Sequence, residues 1–214
     1  MKLTYIAVNL LAAFVYAQAQ VTSQTSVKET QTIASQALGT FRELAKTEHF
    51  KELGFDSAEE AAAATLGEAL PVFMLTLEDL RRYEPGQPAE NLLKPLEKVI
   101  YPVAANDRVK SSIIVEKTPE GWKPTTFGSP NLIKLLTETR RKIAAENAGA
   151  TGQFVVQVPA LNAYFIGYQA NGKLMLASVI DDPALKLAAG QSLSAEEVLA
   201  NLAPAAKAHD DLPR

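Results

Sequence analysis

The chain has no cysteine and only two histidines among 214 residues. The first absence excludes a disulfide framework, a thiol nucleophile, an iron–sulfur cluster and any cysteine zinc site. The second leaves little material for a histidine-built metal centre. Aromatic residues make up 7% of the chain, with a single Trp. Neither sign of charge dominates: 21 Lys and Arg face 24 Asp and Glu, for a net charge of −3. That balance provides no electrostatic footprint for nucleic acid. Beyond the N-terminus no apolar run approaches the ~18 residues that a membrane-spanning helix needs. What is present, 47% hydrophobic and 21% charged residues with ordinary Gly and Pro, describes a globular chain of one domain or two small ones.

The first twenty residues read as an export address. Lys2 supplies a positive start, Tyr5 to Tyr16 are apolar apart from Asn9, and Ala17-Gln18-Ala19 is a small-x-small triplet. These are the three parts of a secretory signal peptide. The apolar stretch is too short to span a bilayer, which takes roughly 20 residues. Cleavage is expected after Ala19, leaving a protein that starts at Gln20 and is periplasmic or secreted. No cysteine follows the apolar run to carry a lipid anchor. Loss of Lys2 removes one of the 21 basic residues, so the mature charge is −4. No Asn-x-Ser/Thr sequon occurs.

Residues 20 to 31 are rich in Gln, Ser and Thr and lead into a helix whose stripe is Ile33, Ala37, Phe41, Leu44 and Ala45. Gly54 is a candidate helix stop, and Ser57 with Glu60 reads as a capping box opening a short helix. Leu70 to Leu75 is an apolar run with Pro71 near its start, as a strand tolerates. Leu77 to Tyr83 returns to helical spacing, and Ala89 to Leu96 reads as another short helical piece. Ile100 to Ala105, Val109 to Glu116 and Trp122 to Phe127 follow as a three-stranded meander, turned at Asn106-Asp107 and Thr118-Pro119-Glu120-Gly121. Ser129 and Pro130 are placed to cap and open a helix buried through Leu132, Leu135, Leu136 and Ile143, ending by Gly149 and Gly152. Phe154 to Val158 is a strand. Tyr164 to Ala170 and Lys173 to Ile180 flank Asn171-Gly172, a strong hairpin signal. The chain is expected to loosen after Asp181-Asp182-Pro183. Ser194 and Glu197 form a second capping box, for a helix that Pro204 limits, with a flexible tail over about 205–214.

This order predicts an α+β fold: an antiparallel sheet, meander plus hairpin, with helices packed mainly on one face and preceded by N-terminal helices. No Pro/Ser-rich linker divides it, so residues 20–214 read as a single domain. Each half has a hairpin with an Asn-centred turn and then a helix opening on a Ser, a faint internal echo.

Chemical motifs are scarce. There is no G-x-S-x-G, no S-x-x-K and no G-x-G-x-x-G. Gly128-Ser129 resembles an elbow only superficially, because a capping role accounts for Ser129. His49 lies beside Glu48, and His209 precedes Asp210-Asp211, but neither has a second His at ligand spacing. No catalytic residue, metal ligand or cofactor is assigned. Residues with contact potential are Trp122, after the bulged turn, and Tyr164 and Tyr168, which share one face of a strand and offer large area at low entropy cost. Core packing is the competing role for each. The favoured reading is a non-enzymatic exported protein that binds a protein or peptide partner. It is either a binding or chaperone-like module or an inhibitor or pro-segment-like one, working through an open sheet face or a sheet edge. The alternative is a secreted hydrolase built on paired carboxylates.

Overall fold

The computed structural model describes residues 26–46 and 48–209. The signal-peptide assignment and the last five residues of the expected tail lie outside them. The fold is α+β, with a mostly antiparallel sheet. Its contacts divide into two compact units interleaved in sequence. The first holds residues 26–72 and 95–138, the second 73–94 and 139–209. No linker marks the boundary, since the chain crosses within strand and helix.

The first unit opens with helix α1 over residues 26–45, followed by α2 (Ala58–Ala62) and strands β1 (Thr65–Leu66) and β2 (Leu70–Met74), β2 running on into the second unit. The stripe of α1 is Thr30, Ala34, Ala37, Leu38, Phe41 and Ala45, all buried. Leu44, expected within it, is 41% exposed. The meander is present as β3 (Lys94–Ala105), β4 (Arg108–Thr118) and β5 (Gly121–Gly128). β3 begins well before Ile100, so only Ala89–Leu92 of the expected helical piece is helical, as a 3-10 turn. Val99, Tyr101, Val103, Ile113 and Val115 face Phe41, Phe55 and Ala61 in one core. Tyr101 is fully buried, and its hydroxyl is satisfied by Thr30 Oγ1 at 2.8 Å and the Val27 carbonyl at 3.2 Å. Both turns follow local chemistry. Asn106 and Asp107 adopt φ of 51° and 59°, and Gly121 a φ of 108°. Helix α4 (Pro130–Glu146) starts in this unit, with Ile133 and Leu136 buried.

A bulge in β4 reshapes one site. Val103 pairs with Ser111 and Ala104 with Val109, so Lys110 is the extra residue. Its ammonium reaches Asp56 at 2.7 Å and Glu60 at 3.1 Å. This alters the first capping box. Ser57 accepts from the Glu60 amide, but the Glu60 carboxylate takes the Asp56 amide at 2.8 Å instead of that of Ser57. Gly54, at φ 91°, lets the Lys110 backbone approach; a Cβ there would stand 2.9 Å from Pro130 Cβ.

The second unit contains α3 (Leu77–Arg82), β6 (Thr151–Val158), β7 (Ala163–Ala170), β8 (Lys173–Ser178), β9 (Ser192–Ser194) and α5 (Ala195–Ala208). The strands pair in chain order, β6-β7-β8-β9, and a helix follows. The meander of the first unit also pairs in chain order and leads into α4, the structural counterpart of the echo in the sequence. Phe154, Val156, Phe165, Leu174 and Leu176 form a core with Leu80, Val198, Leu199 and Leu202. Residues of the opposite parity, Val155, Ile166 and Tyr168, are equally buried, so both faces of β7 are covered.

Three expectations change here. Gly152 does not end α4; it sits inside β6 at φ 62°, where the β6–β7 register shifts. The segment after Asp181-Asp182 does not loosen. Asp182 caps a 3-10 turn over Pro183–Leu185, Asp181 Oδ1 accepts from the Ala189 amide at 2.7 Å, and Leu185 and Leu187 are buried. Pro204 does not stop α5. The helix runs to Ala208 with Ala206 fully buried, so 205–208 are helix, not tail. Arg81 supports that end, its Nε donating to the Ala206 carbonyl and its Nη2 to that of His209.

Candidate functional site

β5 is an outer strand of the first unit: β4 pairs along one side of it, and no strand pairs along the other among the described residues. Proline belongs in a strand only where its missing donor is tolerated, at an edge or a bulge. Pro124 has both settings. The β4–β5 register passes from Ile114↔Thr126 to Val115↔Pro124, leaving Thr125 as an extra residue. Lys123, Pro124, Thr125 and Thr126 are consecutively exposed.

The two faces of this strand differ. On the core side run the rows Val99–Val115–Pro124 and Tyr101–Ile113–Phe127. Trp122 lies at the margin of that side, half-buried, and its indole N–H donates to Glu29 Oε2 at 2.8 Å. On the other face the rows are Lys98–Glu116–Lys123 and Ile100–Ile114–Thr126. Lys98 and Glu116 form an ion pair at 2.6 Å, and the Lys98 ammonium holds the Glu116 carboxyl below its usual range. Lys123 pairs only loosely across its own turn, with Glu120 at 3.3 Å and both side chains more than half exposed.

The two tyrosines belong to the second unit, while Trp122 belongs to the first, so the three do not share one unit. Tyr168 is 1% exposed and is core. Its ring presents no surface to a partner, because both faces of β7 are covered. Tyr164 is half-buried on the same strand. Periodicity placed both rings on one face correctly but carries no information on whether that face is covered.

A second location stands out by charge. Burial, and then the negative charge of Glu196, push the Glu90 carboxyl above its usual range. The same two causes raise the Tyr83 phenol, whose hydroxyl lies 3.4 Å from the Glu196 carbonyl. Glu90 stands in the 3-10 turn and Glu196 in the first turn of α5. No local sequence signal links Glu90 to Glu196, since their interaction depends on packing.

Gly128 and Ser129 join β5 to α4. Ser129 has φ 56°, not the extended backbone of an ordinary N-cap, and its carbonyl accepts from the Ile133 amide at 3.1 Å. His49 pairs with Glu52 at 3.0 Å on an exposed turn. Among the described residues no three His, Asp or Glu side chains gather as metal ligands, and no helix is long and apolar enough to cross a membrane. Comparison with protein-family models, curated proteins and solved structures finds no significant match to this chain.

Proposed function

We propose that the protein is exported and acts by contact, taking up an extended segment of a protein or peptide partner along the outer edge of β5. The observation that carries this reading is that eight-residue strand, paired on one side only among the described residues and exposed from Lys123 to Thr126. An unpaired edge keeps backbone donors and acceptors available, and strand addition uses them for affinity. Pro124 removes one donor and Thr125 interrupts the repeat, so a partner must match a restricted register. These features also blunt the edge against indiscriminate pairing. The basic start, short apolar run and Ala17-Gln18-Ala19 triplet support export.

Site-specific photo-crosslinking tests this reading. A photoreactive residue at Thr125 captures polypeptide when the mature protein is incubated with its native envelope extract. The same residue at Ala144, exposed on α4, does not. Equal capture at both positions refutes the edge.

Glu90 supports a second reading, a hydrolase with paired carboxylates. Burial and a like charge shift its carboxyl upward, the direction in which a general acid is tuned. Hydrolytic turnover abolished by Glu90→Gln would favour it over the binding reading; turnover insensitive to that change would remove it.

A further inference from the structure

We infer that the segment β5 accepts is acidic at a defined position, carrying a carboxylate opposite Lys123 and a β-branched residue two positions away, opposite Thr126. This rests on the proposed edge reading and specifies its partner.

The register of the first unit carries the inference. Residues paired across antiparallel strands share a face, and directly opposed charges of opposite sign stabilise the pairing. Lys98, Glu116 and Lys123 are successive partners on β3, β4 and β5, so the row alternates in sign. Its inner pair is closed at 2.6 Å. Its last member faces the open edge, with a side chain about half exposed and only a 3.3 Å contact to Glu120 in the adjoining turn. The next strand in such a row completes the alternation with a carboxylate. The neighbouring row on the same face, Ile100–Ile114–Thr126, is β-branched throughout and favours a further β-branched residue. Thr125 is the extra residue of the bulge, so Lys123 and Thr126 correspond to partner positions two apart. An antiparallel partner therefore reads Val-x-Glu or Ile-x-Asp from its N-terminus. A basic segment meets like charge at Lys123 and is rejected, so a single side chain supplies both attraction and discrimination.

The test uses the full mature chain and two fluorescein-labelled, end-blocked pentapeptides, Thr-Val-Thr-Glu-Thr and Thr-Val-Thr-Lys-Thr. Anisotropy gives affinity, and hydrogen exchange reports protection of the amides over 121–128. The glutamate peptide is expected to bind roughly two- to fivefold tighter than the lysine peptide at low salt. Lys123→Glu reverses the order, and Lys123→Gln abolishes the preference while leaving exchange protection in place. Lys123 is solvent-exposed, so these variants keep the wild-type circular dichroism. Equal affinity for the two peptides with the β5 amides protected overturns the acidic assignment alone. Absence of protection with either peptide overturns the edge reading as well.

Discussion

Gly167→Ala is the sharpest test of how the second unit is packed. Gly167 lies in the middle of β7, opposite Phe154 on β6 and Leu176 on β8. The Phe154 ring lies over its Cα. A methyl group there would stand 2.5 Å from Phe154 Cζ and 3.0 Å from Cδ2, against an ordinary contact of about 3.5–4.0 Å. The ring has to retreat by about an ångström. It is 6% exposed and already lies against Phe73, with centroids 4.8 Å apart. Overpacking of this kind costs about 1–3 kcal/mol. Alanine recovers about 0.4–1 kcal/mol by restricting the unfolded chain. The net loss should be near 1–2 kcal/mol, a fall of about 2–8 °C in Tm for a chain of this size. Phe154→Ala alone removes a buried ring and should cost about 3–5 kcal/mol. In that background the new methyl enters vacated space, so Gly167→Ala becomes neutral or stabilising. Urea unfolding of the four proteins, followed by far-UV circular dichroism, measures the coupling directly; Trp122 fluorescence is unsuitable because it reports the other unit. Equal cost of Gly167→Ala in both backgrounds would refute the steric account.

Two further perturbations probe charge. Lys110→Met leaves Glu60, a side chain only 11% exposed, without its ammonium partner, and should lower stability by about 1.5–3 kcal/mol in denaturant melts. Wild-type stability is expected to fall with acid: the carboxyls of Asp79 and Glu116 are held below their usual range, so their contribution is complete above the unfolded values near pH 4 and lost as pH drops through the lower folded ones. Glu90 runs the other way. Its folded pKa is raised, so the folded chain gains as Glu90 protonates, and the burden of holding it charged appears as pH rises through the folded value. Glu90→Gln should therefore stabilise the protein at pH 7 and give little or no benefit below about pH 4. A gain that persists unchanged in acid would point to packing instead of charge.

Short-range chemistry explains which elements were legible. Asn171-Gly172 and Asn106-Asp107 turn because both residues of each pair adopt positive φ, a preference carried by the dipeptide itself. Ser194 and Glu197 form a complete capping box, the hydroxyl taking the Glu197 amide and the carboxylate the Ser194 amide. The same motif at Ser57 and Glu60 is redirected, because Lys110, fifty residues away, draws the carboxylate elsewhere. Pro204 reads as a helix stop by local rules. The burial of Ala203 and Ala206 against the second-unit core carries α5 through it. The 181–190 segment looks loose in sequence because its hydrogen bonds join residues several positions apart and its two leucines are anchored non-locally.

The candidate sites divide in the same way. Trp122 could be placed on a strand after the Thr118–Gly121 turn from sequence alone, though the bulge lies further along that strand, at Thr125, and Tyr164 and Tyr168 on one face of another. Their availability could not, since exposure depends on what packs above a strand and alternation records only which side a residue takes. The Glu90–Glu196 approach and the Lys98–Glu116–Lys123 row need helix packing and strand register, both products of long-range pairing.

By itself, then, the sequence determined the absence of cysteine chemistry, the charge balance, the type and order of most strands and helices, and the places where the chain turns. Each depends on composition or on a few adjacent residues. Tertiary structure decided that Lys110 is bulged toward α2, that Tyr168 is core, that α5 survives its proline, and that β5 keeps an open side among the described residues. Those outcomes are set by contacts between segments far apart in the chain, which no local preference encodes.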